Sequence, residues 1–377
     1  MKTEKHVYEK LLDEEFIRKC ILKAAKGKRK RRDVRQVLNN IPHTINVIKE
    51  TLETDSFKPA IHYPKIIYEH GKERTIVKPK FFIESIVHVM VSELLKDIYM
   101  PKFYEYSCAS VPGKGCLFGK KTIQKWITKL KRQHPGRKIY VLKLDIRKFF
   151  ENVNRDVLLE LLSRNIKDSR FMDLLATIVD CPEVKGLPLG FVTSQWLANI
   201  YLTFFDNFVK QNLKCKYYIR YMDDVVILDV DKYHLHFIRS KIQIILESVF
   251  RLKLKKNYQI FPLAGITLTG RPLDFIGYKF YHDRITIRKS ILCKTRKTAN
   301  KIASNGIERC GRHIRLSAIS RIGNLKHANT YNYYMSHIKP KVDYEYLTKI
   351  ESKYSKGVNL DDAYILHIGE RLNARRA

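Results

Sequence analysis

Tyr217-Tyr-Ile-Arg-Tyr-Met-Asp-Asp-Val-Val-Ile-Leu-Asp-Val230 is the stretch from which the rest of the chain can be read. Apolar and β-branched residues flank the acid pair Asp223-Asp224. Two short apolar runs meeting at a pair of acids read as a β-hairpin with carboxylates at its turn. Aspartate is also common in ordinary surface turns, so the pair alone does not define a site. Held together and out of water, the two carboxylates repel and lose hydration. A divalent cation is the simplest group that offsets both effects.

Working outward, Lys138–Ile146 is an apolar, β-branched strand that ends on Asp145. Between it and the hairpin lie a Gly/Pro loop, Lys185-Gly-Leu-Pro-Leu-Gly190, and a helix over 194–213 with apolar residues at Leu197, Ile200, Tyr201, Phe204 and Phe208. Two strands of one sheet would bring Asp145, Asp223 and Asp224 to one edge. Three hard oxygen ligands, with room for water and substrate phosphates, suit a pair of Mg²⁺ ions rather than zinc. Such a pair stabilises the attacking and leaving oxygens of an in-line phosphoryl displacement.

Composition narrows the partner. The 377-residue chain is 45% hydrophobic, enough for a large core and two or three subdomains. Its 72 Lys and Arg face 38 Asp and Glu, a net charge of +34. That excess implies a long polyanion, either nucleic acid or an anionic membrane surface. The most apolar long stretch, residues 81–95, is interrupted by Glu84, His88 and Glu93, so nothing spans a bilayer and nucleic acid is the better match. The opening Met1-Lys-Thr-Glu-Lys-His6 leads into no apolar core, so it does not read as a signal peptide. Seven scattered cysteines without CxxC spacing indicate neither a disulfide framework nor a zinc site. They read as reduced thiols of a cytoplasmic protein.

Helical periodicity covers residues 5–25 and again 34–52. Between them, Lys26-Gly-Lys-Arg-Lys-Arg-Arg32 packs six cations into seven residues. Lys28, Arg29, Lys30, Arg31 and Arg32 are read as phosphate contacts, although composition does not separate that from a localisation signal. Residues 61–77 alternate as a strand pair turning at 69–72, and 81–95 reads as an amphipathic helix. Gly113-Lys114-Gly115 is a flexible basic loop that lacks the spacing of a Walker loop. Further helices are expected over 121–131, 157–180 and 235–250. A short β unit ends in Phe275-Ile-Gly-Tyr278, and residues 286 to 340 are helical, cationic and tyrosine-rich. Nothing after Pro340 is readable.

Taken together, these stretches resemble the reverse transcriptases. Tyr221-Met-Asp-Asp224 resembles their YxDD box. Lys143-Leu-Asp-Ile-Arg-Lys-Phe-Phe150 resembles their first catalytic motif, and Gly186-Leu-Pro-Leu-Gly-Phe-Val-Thr-Ser-Gln195 the motif between these two. Phe275-Ile-Gly-Tyr278 resembles the primer-grip turn. The match runs in the family's order over roughly residues 60–335. It implies an α+β right-hand polymerase with an antiparallel palm sheet and a helical thumb. Basic N-terminal helices would occupy 1–60, fingers 61–135, palm 136–282 with a fingers segment at about 155–190, thumb 283–340 and a C-terminal tail 341–377.

The resemblance also implies roles. Asp145 and Asp223 would bind two Mg²⁺ ions, Asp224 would assist, and the Ile146 carbonyl would complete the site. Phe150 or Phe149 would be the steric gate that clashes with a ribose 2′-OH, the other being a core aromatic. Lys65 and Arg74 would hold the incoming triphosphate, for which a guanidinium fork is suited; Lys65 also reads as a plain surface lysine. Leu189, Gly190, Ser194 and Gln195 would line the nucleotide and template pocket. Phe275, Gly277 and Tyr278 would grip the primer, and Lys114 would join the 28–32 cations on nucleic acid. In the thumb, positive charge interleaved with Tyr331, Tyr333 and Tyr334 would serve phosphate contact and stacking, with at least one ring in the thumb core.

Two departures refine this. Many reverse transcriptases carry Gln-Gly and Ser-Pro where this chain has Leu189-Gly190 and Ser194-Gln195. That variant resembles the enzymes of diversity-generating retroelements, which copy a template RNA with frequent errors opposite adenine. An apolar side chain in place of an amide removes a polar contact near the templating base. The resemblance implies a template RNA, its cDNA, deoxynucleoside triphosphates and a small basic accessory protein as partners, in a bacterial or phage-encoded enzyme. A lysine expected near residue 258, as a proton donor to pyrophosphate, is replaced by Tyr258, with Lys255 or Lys256 as substitutes. No integrase, nuclease or maturase-type DNA-binding domain is visible, which disfavours a group II intron protein. Two rivals are a reverse transcriptase of anti-phage defence and an RNA-binding protein with a vestigial palm. The three intact acids argue against the second.

Overall fold

Asp13 breaks the helix expected over 5–25. In the computed structural model, which describes residues 3–69 and 71–356, a 3₁₀ turn (Tyr8–Leu12) precedes it and α1 (Glu14–Ala25) follows. The Asp13 carboxylate accepts from the Phe16 N–H at 2.7 Å and so starts a new helix. The expected 34–52 helix likewise divides into α2 (Arg32–Asn39) and α3 (Ile41–Glu53), because Asn40 caps the second and Pro42 sits in its first turn. β1 (Lys65–Glu69) and β2 (Lys72–Ile76) form the expected hairpin, with Ile67 opposite Arg74 and Lys65 opposite Ile76.

The amphipathic helix expected from residue 81 is corrected by the structure. Phe81–Ser85 is a kinked lead-in with Ile83 at φ 61°, and α4 (Ile86–Tyr99) is enclosed on nearly every side. Val87, Met90, Val91, Leu94 and Leu95 are buried, and so are His88 and Ser92. The polar residues that suggested a wet face are paired inside. Ser92 Oγ donates to His88 O at 2.7 Å, His88 Nδ1 lies 2.8 Å from Thr193 Oγ1, and Glu84 accepts the Lys80 N–H at 2.8 Å.

Along the chain follow α5 (Cys116–Gln133), β3 (Tyr140–Asp145), α6 (Phe149–Asn152), α7 (Arg155–Ser163), α8 (Ser169–Val179) and α9 (Val192–Asn207). Then come β4 (Tyr217–Tyr221), β5 (Asp224–Asp229), α10 (Lys232–Ser248) and β6 (Gln259–Pro262). The single helix expected over 157–180 is two, since Asn154 and Asp168 cap successive helices by accepting from Val157 and Phe171 N–H. The strands form one sheet in the order β4-β5-β3-β6, with β5 antiparallel to both β4 and β3. Val225, Val226, Ile227 and Leu228 of β5 are all buried, so both faces of this central strand are covered. The fold class is α+β with an antiparallel sheet.

The chain divides into two units, Met1–Phe261 and Pro262–Ala377. The second holds β7 (Leu273–Phe275), β8 (Tyr278–Phe280) and β9 (Ile285–Ile287) as one antiparallel sheet. Among the described residues, α11 (Lys289–Asn305), α12 (Arg312–Leu325), α13 (Tyr331–His337) and α14 (Tyr344–Lys356) follow. α14 lies where the sequence offered no pattern. Leu347 is buried, and Glu351 accepts from Arg315 Nε at 2.6 Å and Arg312 Nε at 3.1 Å, which ties α14 to α12. The remainder of the expected tail, 357–377, lies outside the described residues. Among the described residues no helix is long and apolar enough to cross a membrane. No cysteine is in a disulfide.

Enclosure of α4 has a measurable consequence. Leu95→Ala is expected to cost about 2–5 kcal/mol, whereas Leu22→Ala on the exposed side of α1 costs under about 1 kcal/mol. Urea unfolding followed by circular dichroism compares them; equal losses would contradict the enclosure.

Candidate active site

Strand register brings the acids together. Asp145 stands opposite Asp224 across β3 and β5, and Tyr221 stands opposite Asp224 across β4 and β5. The connection is therefore only Met222-Asp223, and all three carboxylates share one end of the sheet. The Ile146 N–H reaches the Asp223 carbonyl at 3.4 Å, which laces the end of β3 to the turn. Met222 holds φ 55°, a left-handed conformation that costs a non-glycine residue about 1 kcal/mol or more.

That turn is held from beneath by a residue that sequence reasoning passed over. Arg220 is completely buried and donates from Nη1 to the Met222 carbonyl at 3.0 Å. Its Nε and Nη2 grip both carboxylate oxygens of Asp206, at 2.7 and 2.6 Å. Tyr218 donates to the same carboxylate, and Asn199 Oδ1 accepts from Arg220 Nη1 at 3.2 Å. Asp206 and Asn199 both come from α9, so a dry, bidentate ion pair joins that helix to the hairpin. The signal was present in the sequence, since an arginine inside an otherwise apolar strand needs a buried partner.

Burial, and then the charges of Asp145 and Asp224, push the Asp223 carboxyl up to about 6. Of the two lysines expected to stand in for residue 258, Lys255 lies against Asp145. Its N–H donates to the Asp145 carbonyl at 2.9 Å, and its Nζ lies 2.5 Å from Asp145 Oδ1. Asp145 Oδ1 is buried, and this ion pair is its contact. Tyr258 instead lies under the Arg239 guanidinium, 4.4 Å away. Hard carboxylate oxygens, close enough that burial and mutual repulsion raise one pKa, form a donor set that fits divalent cations.

The middle motif wraps between these acids and the β1–β2 hairpin. A Cβ on Gly186 would stand 2.2 Å from the Phe150 carbonyl, and one on Gly190 2.1 Å from the Val77 carbonyl. Both glycines are thus required by close backbone approach. Leu187 N–H donates to Phe150 O, and Val77 N–H donates to Leu189 O, each at 2.8 Å. Leu189 is half-buried, Ser194 is buried, and Gln195 is exposed and accepts from Ser110 Oγ at 2.8 Å. Of the two aromatics left open above, Phe149 is in the core and Phe150 is half-exposed, their rings 5.5 Å apart. Lys65 and Arg74 are both exposed, and the hairpin register sets them on the same face of the ribbon.

Residues 28–31 form an exposed turn, with Arg31 paired to Asp33 and Lys28 Nζ 6.0 Å from the Phe81 ring. Lys114 is engaged internally, donating to the Glu105 carbonyl at 2.6 Å and lying 5.8 Å from the Phe118 ring. In the second unit, Phe275 and Tyr278 are buried, so the Ile276-Gly277 turn presents backbone rather than rings. Tyr331 is exposed, while Tyr333 and Tyr334 are half-buried, Tyr333 donating to Leu292 O at 2.9 Å.

Residues 68–280, more than half of the chain, match the family model "Reverse transcriptase (RNA-dependent DNA polymerase)". The chain belongs to that family, whose members use divalent metal ions with nucleic-acid and deoxynucleotide substrates. It is 28% identical over 177 residues to the group II intron-encoded protein LtrA of Lactococcus lactis subsp. cremoris, covering 43% of this chain and 28% of that protein. It is 23% identical over 258 residues to protein YkfC of Escherichia coli K12, covering 56% of this chain and 66% of that one. The match to LtrA thus spans little more than a quarter of the relative's length. The structure of apo telomerase from Candida tropicalis is similar at 12% identity and a TM-score of 0.48, over 78% of this chain and 64% of that one. The intron proteins, disfavoured above, are therefore among the relatives, through the shared polymerase segment.

Two outcomes follow from this geometry. Arg220→Met, which strands Asp206 in the core, is expected to lose about 3–5 kcal/mol in urea unfolding; a loss under about 1 kcal/mol would contradict the anchoring role. The folded pKa of Asp223 lies above the unfolded one, so its ionisation destabilises the fold as pH rises from about 4 to about 6. In chelator, Asp223→Asn is expected to be more stable than wild type by about 1–2 kcal/mol above pH 6 and equal to it below pH 4. Thermal unfolding against pH checks this; an advantage that persists at low pH would contradict it.

Proposed function

We propose that this chain is an RNA-directed DNA polymerase that extends a primer on a template RNA with deoxynucleoside triphosphates and two Mg²⁺ ions. The observation that carries the reading is the meeting of Asp145, Asp223 and Asp224 at one sheet end, in a chain of net charge +34 that belongs to this family. Asp145, Asp223, Asp224 and the Ile146 carbonyl would hold the ions. When bound, they supply charge stabilisation for the attacking and leaving oxygens. Lys65 and Arg74 hold the triphosphate from their shared face of the hairpin. Lys255, beside Asp145, is the proton donor to pyrophosphate. Half-exposed Phe150 is the gate, and Leu189, Gly190, Ser194 and Gln195 line the pocket it guards. Phe275, Gly277 and Tyr278 grip the primer through turn backbone. Lys28, Arg29, Lys30 and Arg32 contact phosphates. The hand comprises fingers at 61–135, palm at 136–282 and thumb from 283, in a cytoplasmic protein.

The finer reading is a mutagenic copier of the diversity-generating kind, working with a small basic accessory protein. Leu189-Gly190 and Ser194-Gln195 support it, since no amide stands at 189 to check the templating base.

Primer extension on an RNA template with Mg²⁺, followed by sequencing of the cDNA, tests both levels. Asp223→Asn is expected to lower the rate by about 10³-fold; extension that survives in this variant would refute the site. Errors concentrated at template adenines support the mutagenic reading, and equal fidelity at all four bases refutes it. Phe150→Ala is expected to raise ribonucleotide use by roughly 10–200-fold, and unchanged discrimination would remove Phe150 as the gate.

A further inference from the structure

Far from the acids in sequence, three segments of the first unit converge on a second cluster. His62 lies just before β1, Glu84 lies in the kink before α4, and Cys181 and Glu183 follow α8. One ring nitrogen of His62, the Cys181 sulfur and one Glu183 carboxylate oxygen lie within 4.8 Å of one another. His62 Nδ1 is 3.5 Å from Glu183 Oε1, and Cys181 Sγ is 3.1 Å from Glu183 Oε2. The side chains of His62 and Glu183 are 2% and 20% exposed, and Cys181 is buried. Val77, Phe191 and Val184 wall the cluster with apolar surface.

We propose that His62 Nδ1, Cys181 Sγ and Glu183 bind a zinc-class transition-metal ion, distinct in chemistry from the ions held by the three aspartates. Zinc bonds of about 2.0–2.3 Å in a tetrahedron place neighbouring ligand atoms about 3.4–3.6 Å apart. The Nδ1–Oε1 spacing of 3.5 Å matches, and Sγ stands 3.1 Å from Oε2, the other oxygen of the same carboxylate, so a turn of the Glu183 carboxylate, whose Oε1 also accepts the His62 N–H at 3.1 Å, brings one oxygen to both partners. A thiolate and an imidazole select zinc-like ions over Mg²⁺ or Ca²⁺. Three protein ligands leave the fourth position to water.

The surroundings are those a metal-bound histidine uses. His62 Nε2 lies 2.5 Å from Glu84 Oε1, and the other Glu84 oxygen accepts the Lys80 N–H at 2.8 Å. A carboxylate on the far ring nitrogen fixes the tautomer and turns Nδ1 toward the ion. The site would also have structural reach. It would clip the root of the β1–β2 hairpin to the loop running through Leu189 and Gly190, which Val77 N–H already meets at the Leu189 carbonyl. No single stretch of sequence displays it, because His62 and Cys181 are brought together only by the fold.

The inference does not rest on the polymerase reading, and neither does its test. The full chain carrying Cys116→Ser and Cys293→Ser, which removes the two exposed thiols, is stripped with chelator and re-exposed to Zn²⁺ or Cd²⁺. Metal per chain is counted by mass spectrometry, and Cd²⁺ is followed by its thiolate charge-transfer absorption. One zinc per chain is expected, together with a cadmium band that is lost on adding Cys181→Ser. That variant keeps a hydroxyl toward Glu183, and circular dichroism checks its fold. Glu84→Gln is expected to weaken zinc binding by about 10–100-fold. Zinc should also raise the unfolding temperature of the parent but not of the Cys181→Ser protein. A stripped parent that takes up no more zinc than the Cys181→Ser protein would overturn the proposal, leaving a network that shares only protons. A cadmium band that survives Cys181→Ser would overturn it as well.

Discussion

Asp145 and Asp224 face each other across β3 and β5 with Asp223 at the adjoining turn, and this convergence of like charge opposes folding. The surrounding structure supplies what offsets it. Lys255 places one cation against Asp145, and backbone N–H groups of Ile146 and Lys255 tie the strand ends together. The ladder between β3 and β5 holds the register that sets Asp145 opposite Asp224. Repulsion is thus confined to the one edge where a bound cation can relieve it.

The same economy governs the turn itself. Met222 sits at a positive φ that it would not choose, and Arg220 holds the Met222 carbonyl there from the dry side. Asp206 compensates the arginine with both oxygens, and Asp206 belongs to α9, the helix that the middle motif introduces. The hairpin, the middle motif and the helix behind them are therefore one mechanical unit. A further join runs from Gly186 at the Phe150 carbonyl to Gly190 at the Val77 carbonyl, so the loop between them touches both the α6 aromatics and the β1–β2 hairpin. Neither glycine can carry a side chain without moving backbone on the other side of the contact.

Local patterns in the sequence were readable where the physics is local. An acid pair between β-branched runs specifies a hairpin, and alternation over 61–77 specifies another; both stand in the structure. Helix boundaries are less legible. Asp13, Asn40 and Asp168 are capping residues, and each divides a helix where apolar periodicity alone runs straight through. α4 departs from its sequence pattern for a different reason. His88 and Glu84 look like a wet face in one dimension, but they are paired with Thr193 and His62 in three.

What the sequence determined by itself was the α+β character, the nucleic-acid charge balance and the family, because motifs, alternation and net charge are carried by neighbouring residues. What the tertiary structure decided was which polar groups are compensated, and by what. Arg220 finds Asp206 on another element, His62 finds Cys181 and Glu183 across the fold, and α14 finds its place through Glu351. A buried charge or a metal ligand is defined by its partner, and partners far apart in sequence meet only when the backbone between them has been folded.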